Sequence, residues 1–330
     1  MKLGVAISWR GATIDSSRKI ALESERAGFE YLWLTEAWGM EALSTTGYLL
    51  GMTSRIKLGV GVLNIFSRSA ALIGMACATL DQVAPGRFIL GLGASGGAVV
   101  EKWHGMTFSR PLQRTKEYVE IVRRVARGEE VNYEGEILKL AGFRLYTKPK
   151  ETNQEIYIGA IGEKNLKLAG QIADGAIVTM YPFSKMSTAL QILRRSLPSD
   201  SREKLLFAYL PFRVVQTSEE VQRRRIEVAK NIAFYISSMG KYYAKKLAEL
   251  GFEKNVERVI MAYKEGGSKE ATAAVDDQLI DELSLIGSQD QILDKLRKIP
   301  EGVIPVLSID SSETQLDSLG SMLKEVDQDL

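Results

Sequence analysis

The chain has almost none of the side chains on which metal and thiol chemistry depend. Cys77 is its only cysteine and His104 its only histidine. A single cysteine excludes an internal disulfide framework, and a single histidine argues against a Ser-His-Asp triad or a histidine-rich metal site. Cys77 lies in the apolar run GMACATL, which favours a buried structural thiol. His104 follows Trp103 in a polar loop and is expected to be a surface residue.

A strong charge of one sign and long hydrophobic runs are lacking too. The 43 basic and 41 acidic residues leave a formal charge of +2, and no dense basic stripe suggests a nucleic-acid surface. No run approaches the roughly 18 apolar residues of a membrane span, and the start MKLGVAIS lacks the features of a secretory leader. With 45% apolar residues, the composition is that of an ordinary globular protein, which we expect to be cytoplasmic.

What the chain does contain is a repeated unit. Short apolar runs alternate with longer amphipathic stretches, two of which end at a glycine, Gly28 and Gly128, as a left-handed helix cap favours. This alternation predicts βα units around a parallel sheet that is buried on both faces. The eight predicted strands are Lys2–Ser8, Glu30–Glu36, Ile56–Asn64, Arg87–Ala94, Glu155–Ala160, Gly175–Met180, Leu205–Val215 and Val303–Ile309.

Eight such units predict an α/β fold, a closed (β/α)8 TIM barrel, within a single domain over residues 1–330. Two segments interrupt the rhythm. The alternation in 130–146, with Gly135 and Gly142, predicts a hairpin excursion. The stretch 218–299 is too long for one barrel helix and predicts a helical insertion before the last strand. Its segment DDQLIDELSLIGSQDQILDKLRKI is expected to supply two helices of that insertion.

The carboxyl ends of the predicted strands indicate the kind of ligand. In a parallel barrel the catalytic groups gather at these ends. Here they carry arginines, aromatics, glycines and small hydroxyls but few carboxylates, which suits a flat anionic aromatic ligand better than a metal or a sugar. The candidates include Ser8, Trp9, Arg10, Thr35, Glu36, Trp38, Asn64, Phe66, Arg68 and Gln216.

Three strand ends stand out. KLGVGVLNIFSRS places Gly59 and Gly61 inside a core strand and ends it in polar groups, as a ligand lying across that end would require. GAIGEKNLKLAG, from Gly159, could direct helix-start N–H groups at a phosphate, although a plain βα turn would explain its glycines equally well. GLGASGG lacks GxGxxG spacing and a P-loop lysine, so it is weak as a nucleotide-binding motif. Its glycines would instead let the ring of a ligand lie close to the backbone.

Glu36 has two interpretations. It could act as a general acid, or it could form an ion pair with an arginine such as Arg68. The four tryptophans are more often packing residues than stacking partners of a cofactor, and Trp38 is the best placed of them to offer a ring face.

Four segments resemble the bacterial luciferase-like superfamily. They are AGFEYLWLTE, SRIKLGVGVLNIFSRSAALIGMACATLDQVAPGRFILGLGASGG, YIGAIGEKNLKLAGQIADGAIV and LIGSQDQILDKLRK. More narrowly, the chain is similar to the deazaflavin-dependent methylenetetrahydromethanopterin reductases, and the likeness runs almost end to end. TLDQVAPGRFILGLG together with LAGQIADG is specific for the superfamily.

The resemblance implies a TIM barrel that holds coenzyme F420, an 8-hydroxy-5-deazaflavin, at its carboxyl-terminal mouth. It implies a non-prolyl cis peptide between Gly61 and Val62, behind the deazaflavin ring. It also implies a phosphate site at the turn formed by Gly159, Ala160, Ile161 and Gly162. The reductases carry acidic residues near the ring at positions that match Ala6, Glu36 and Gly96, of which only Glu36 is acidic here, and many relatives have a histidine where this chain has Ala37.

We therefore expect an F420-dependent oxidoreductase that transfers a hydride between the deazaflavin C5 and a small organic substrate, with a methylene-tetrahydropterin as one candidate. Glu36 would donate a proton or hydrogen-bond the ring, while Asn64, Gly93 and Ala94 would shape the pocket. The 97–110 loop and the insertion would bind substrate. An FMN-dependent monooxygenase and a non-catalytic flavin-binding barrel remain alternatives. A homo-oligomer is expected.

Overall fold

The computed structural model describes residues 2–150, 153–197, 203–239 and 241–309. The strands are β1 (Gly4–Ile7), β2 (Tyr31–Leu34), β3 (Lys57–Asn64), β4 (Phe88–Gly93), β5 (Val131–Glu134), β6 (Lys139–Phe143), β7 (Glu155–Gly159), β8 (Gly175–Thr179), β9 (Leu205–Val214), β10 (Leu285–Gly287) and β11 (Val303–Ile309). The helices are α1 (Ile14–Ala27), α2 (Ala42–Met52), α3 (Ala70–Val83), α4 (Gly97–Lys102), α5 (Pro111–Ala126), α6 (Glu163–Ile172), α7 (Met186–Arg195), α8 (Ser218–Ser237), α9 (Lys241–Leu247), α10 (Glu253–Ala273), α11 (Asp277–Leu283) and α12 (Gln289–Leu296).

The parallel strands close into a barrel. They follow the order β9-β11-β1-β2-β3-β4-β7-β8, and β8 pairs back onto β9. Gly175 opposite Leu205 and Val306 opposite Tyr209 mark the two pairings that complete the ring. The predicted (β/α)8 barrel is confirmed, and so are its eight strands. Segment 130–146 forms the predicted hairpin, β5 antiparallel to β6.

The lower part of the barrel is filled by aromatic side chains. Tyr31, Trp33, Tyr157 and Phe207 are almost wholly buried and meet edge to face. Because side chains alternate along a strand, every second residue faces the axis. Nearer the carboxyl ends most of these inward positions are small, although β9 has Tyr209 there. The small residues are Ser8, Thr35, Gly93, Gly159, Thr179 and Ser308. The barrel is therefore packed with large rings below, while small residues occupy most inward positions near its carboxyl-terminal mouth.

The helical insertion has its own hydrophobic core and ends earlier than the sequence suggests. Leu279 of α11 packs with Val228 and Val259 in that separate cluster. Ile292 and Leu293 of α12 pack into the barrel core instead. The prediction that both helices belong to the insertion is thus corrected: α12 is a barrel helix, separated from α11 by β10, a strand too short to recognise beside two amphipathic helices.

Cys77 is buried in α3, as predicted, and burial raises the pKa of its thiol. Within the described residues, no helix combines the length and apolar character that crossing a bilayer requires.

Candidate active site

The third strand contains the irregularity that sets the shape of the mouth. Val60 pairs with Leu90 and Leu63 with Leu92, so three steps along β3 oppose two along β4. The peptide between Gly61 and Val62 is cis, at the position that the resemblance implies. Since one extra residue reverses the alternation of side chains, Leu63 packs in the outer core and Asn64 comes to lie opposite Gly93.

Glycines on both sides keep space around this bulge. A Cβ atom on Gly93 would lie 2.5 Å from Val62 Cγ2, and one on Gly159 would lie 3.1 Å from Val62 Cγ1. Any larger residue at Gly93 would displace the Val62 side chain. Gly61 and Val62 are themselves only half-buried. The bulge therefore presents a half-exposed floor to the mouth.

Two buried polar groups beside the bulge have no hydrogen-bond partner among the described residues. Asn64 is 6% exposed, and its Oδ1 accepts from Phe66 N at 2.9 Å, while its Nδ2 is left over. The Tyr209 hydroxyl is 2.0 Å from the position of a Cβ on Gly61 and is likewise unpartnered. Burial raises the Tyr209 pKa well above 10, so this hydroxyl stays a donor. An unsatisfied buried donor costs about 1–3 kcal/mol and indicates a binding position.

The turn before α6 presents the features of an anion site. Gly162 is the N-cap of α6 and provides no side-chain cap for the first-turn N–H groups. A Cβ on Gly162 would lie 2.9 Å from the Tyr242 hydroxyl and 3.0 Å from Lys246 Cε, so α9 brings Lys246 to the turn, where its ammonium group is paired with Glu249. Ala160 contributes less, because it is buried and its N–H already donates to Ile177 O.

Glu36 forms the ion pair that the sequence left as an alternative. Arg68 Nη1 and Nη2 each donate to one Glu36 oxygen at 2.8 Å, and Ala42 N donates to Oε2 at 3.0 Å. Arg68 also binds Glu41. Burial disfavours the guanidinium charge, but the hydrogen bonds and charges of the two carboxylates outweigh it and raise the Arg68 pKa. For Glu36 to donate a proton, Arg68 would have to move.

The comparisons with known proteins show the family. The family model described as luciferase-like monooxygenase matches residues 1–304. The chain belongs to the luciferase-like family. It is 28% identical over 289 residues to a 5,10-methylenetetrahydromethanopterin reductase of Archaeoglobus fulgidus, which covers 86% of both chains.

Two solved structures have the same fold. The coenzyme F420-dependent tetrahydromethanopterin reductase of Methanopyrus kandleri superposes with a TM-score of 0.81 at 22% identity, over 98% of this chain and 97% of the other. An F420-dependent secondary alcohol dehydrogenase has a TM-score of 0.74 at 17% identity, over 99% and 98%. The match to the family model over residues 1–304 confirms the recognition of the family from four sequence segments.

The mouth of this luciferase-like barrel is suited to a flat ring with polar edges. The bulge offers backbone and a methyl surface to a ring face, while Asn64 Nδ2 is a fixed donor for a ring carbonyl or nitrogen. The α6 turn could hold a phosphate. The described residues offer no comparable site for a metal ion, because they contain no group of three or more His, Cys, Asp or Glu side chains that could hold one.

Several mouth residues escaped sequence reasoning. Tyr209 was not singled out, although strand alternation places it on the same face as Phe207 in LLFAYLPFRVV. Nor were Tyr242 and Lys246, because their position depends on how α9 folds back over the barrel. No local sequence signal carries that information.

The insertion forms a roof over the mouth. Met239 O lies 3.7 Å from a Cβ position on Gly96, after β4, and α9 touches Gly162, after β7.

Of the four tryptophans, Trp33 is fully buried and Trp103 is 64% exposed. Trp38 is 42% exposed and meets Trp9 edge to face at 4.5 Å, so these two rings form an aromatic wall at the mouth.

Proposed function

We propose that the protein is an F420-dependent oxidoreductase that transfers a hydride between the deazaflavin C5 and an organic substrate. The observation that carries the proposal is the half-exposed Gly61–Val62 floor, bordered by Gly93 and Gly159, with the unpartnered Asn64 amide at its end. The relatives support the choice of cofactor, since F420 is named in two of the three proteins compared above.

Each part of the mouth would have a task. The floor would support the ring, Asn64 would donate to its edge, and the turn from Gly159 to Gly162 would hold the phosphate with Lys246 nearby. Ala94, half-buried after β4, would line the pocket. F420 itself would supply the hydride chemistry. The insertion and the 97–110 loop would exclude water and hold the substrate against the exposed ring face.

Glu36 would act at the rim of this pocket. Its pairing with Arg68 holds two opposite charges at a fixed place beside the mouth. We propose that this pair orients the ring or substrate by hydrogen bonding, and that proton donation by Glu36 takes place only when Arg68 is displaced. A methylene-tetrahydropterin remains a candidate substrate, although Ala6 and Gly96 replace acids that the pterin reductases carry near the ring.

A paired titration tests the proposal. Purified protein is titrated with F420 and, separately, with FMN, and binding is followed by fluorescence. We expect F420 to bind more tightly, and its absorbance to bleach when a hydride donor is added. Tighter binding of FMN, with oxygen uptake in the presence of reduced FMN, would instead support a monooxygenase, as the family description suggests. Binding without either reaction would indicate a non-catalytic flavin-binding barrel.

A further inference from the structure

The arginines at the carboxyl ends of the barrel strands differ in how their guanidinium groups are used. Arg68 is engaged by Glu36 and Glu41. Arg213 donates to the carbonyls of Phe212 and Ser308. Both are therefore already committed to protein acceptors.

Arg10 is different. It follows β1 at the mouth and is exposed, and no described residue accepts a hydrogen bond from its guanidinium or forms an ion pair with it. Its Cζ lies 4.8 Å from the ring centroid of Trp9 and 4.8 Å from that of Phe234 in α8. The two rings hold the group between the barrel and the insertion.

This arrangement preorganises an anion-binding fork. An aromatic ring covers the face of a guanidinium, whereas the five N–H donors point outward in its plane and match the oxygens of a carboxylate or phosphate. A side chain fixed by packing loses less conformational entropy on binding than a free surface arginine does. The apolar wall of Trp9 and Trp38 lies next to it.

We infer that Arg10 selects substrates that carry an oxyanion, a carboxylate or a phosphate, attached to a flat apolar body that lies along the Trp9–Trp38 wall. This deepens the proposed function, on which it rests for the place where substrate meets cofactor. Arg10 would thus be a specificity-determining residue, placed at the substrate entrance and separate from the α6 turn.

Matched probes test the inference. We suggest calorimetric titration of 1-naphthoate, 1-naphthyl phosphate and the neutral 1-naphthamide into the protein, both cofactor-free and saturated with oxidised F420. Either 1-naphthoate or 1-naphthyl phosphate should bind about tenfold more tightly than 1-naphthamide, because hydrogen bonds between charged partners are stronger than those to a neutral amide. The anion that binds more tightly identifies the oxyanion.

Variants assign the effect to Arg10. Arg10→Gln should remove the preference for the anion and leave the affinity for naphthamide and for F420 unchanged. Arg10→Lys should keep part of the preference, since it retains charge but not the planar fork. Arg26→Gln, in the last turn of α1, is the matched control and should behave as the wild type.

Three results would overturn the inference: equal affinity of the wild type for anions and amide, an unchanged preference in Arg10→Gln, or weaker F420 binding by Arg10→Gln without any probe. The last result would assign Arg10 to the cofactor. Failure of the proposed function is distinguishable, because a protein that discriminates the anions but does not bind F420 contradicts only the choice of cofactor.

Discussion

The space around Val62 depends on Cβ atoms that are missing at Gly93 and Gly159, and the contact would be tighter at Gly93. Gly93→Ala would bring its Cβ to 2.5 Å from Val62 Cγ2 and force the floor of the mouth to shift. Overpacking of this kind typically costs about 1–3 kcal/mol. We therefore expect Gly93→Ala to weaken F420 binding about tenfold, as measured by fluorescence titration, while the circular dichroism spectrum stays that of the wild type.

A second substitution shows whether the clash is the cause. The double variant Val62→Ala/Gly93→Ala removes the obstructing methyls and should recover most of the affinity. Gly51→Ala is the control, since no atom lies within 4 Å of its Cβ position and the site is in α2, where alanine favours the helix. If the double variant binds no better than Gly93→Ala, the contact with Val62 does not control the floor.

The sequence predicted a residue's position well where neighbouring residues in the chain determine it, and poorly where distant segments do. Gly93 and Gly159 could be placed at the mouth because each ends a strand that the sequence pattern already defines. The inward position of Asn64 follows from the extra residue in β3, which reverses the strand's faces, and an apolar pattern such as GVGVLN does not show that reversal. For Glu36 the sequence left two interpretations open, a general acid or an ion pair with an arginine such as Arg68. The ion pair depends on the closeness of the loops after β2 and β3, which the sequence does not show.

A helix and a hairpin are joined through one buried carboxylate. Glu117 of α5 is fully buried and accepts hydrogen bonds from the backbone N–H groups of Glu136, Ile137 and Leu138, at 2.8–3.2 Å, in the turn between β5 and β6. Burial alone would raise the Glu117 pKa, but these bonds together with one from Gln113 lower it below its ordinary value of 4.5. The ionised form thus fastens the hairpin to the barrel.

The sign of the pH dependence follows from this shift. A carboxyl group whose pKa is lowered by folding stabilises the protein when the pH is above the pKa that the group has in the unfolded chain. This stabilisation is lost as the pH falls through the pKa of the folded state. Glu117→Gln should therefore lower the free energy of unfolding by about 2–4 kcal/mol at pH 7. The difference from the wild type should shrink below about pH 4.5, as measured by urea unfolding at pH 7 and pH 4.

Glu134→Gln is a suitable control for this prediction. Glu134 lies in the same hairpin, but its side chain is 80% exposed, and its pairing with Lys139 should contribute under about 1 kcal/mol. A Glu117→Gln variant that loses no more stability at pH 7 than Glu134→Gln would contradict the role of Glu117. So would a loss that is independent of pH.

The barrel and its roof differed in how well the sequence predicted them. Each barrel strand is a short apolar run bounded by turn residues, so eight strands and their parallel order could be inferred from local pattern. The insertion was located, but its far boundary was not, because the sequence pattern predicts two helices and does not show which core each of them contacts. The approach of Phe234, Met239 and Tyr242 to the mouth is a tertiary result that no local pattern contains.

The expected homo-oligomer has a candidate surface on the outside of the barrel. Leu72, Met75 and Val83 lie along one face of α3 and are 46–50% exposed, and Tyr48 and Met52 of the neighbouring α2 are 42% and 38% exposed. Gly47 of α2 lies against Leu80 of α3, so the two helices pack closely. Large exposed apolar patches are typical of interaction surfaces, and self-association through a twofold axis would cover these side chains in both copies.

We accordingly expect the protein to be a dimer and Leu72→Glu/Met75→Glu to be a monomer, as measured by light scattering at micromolar concentration, because each dimer would then bury four unpaired carboxylates. Met261→Glu is the matched control, since Met261 is 60% exposed on α10, a helix of the insertion that packs against α8, and its substitution should leave the dimer intact. The mouth lies at the carboxyl ends of the strands, whereas these exposed side chains lie on the outer helices α2 and α3. The monomeric variant should therefore still bind F420. A monomeric wild type would contradict the dimer. A Leu72→Glu/Met75→Glu variant that remains dimeric would place the interface elsewhere.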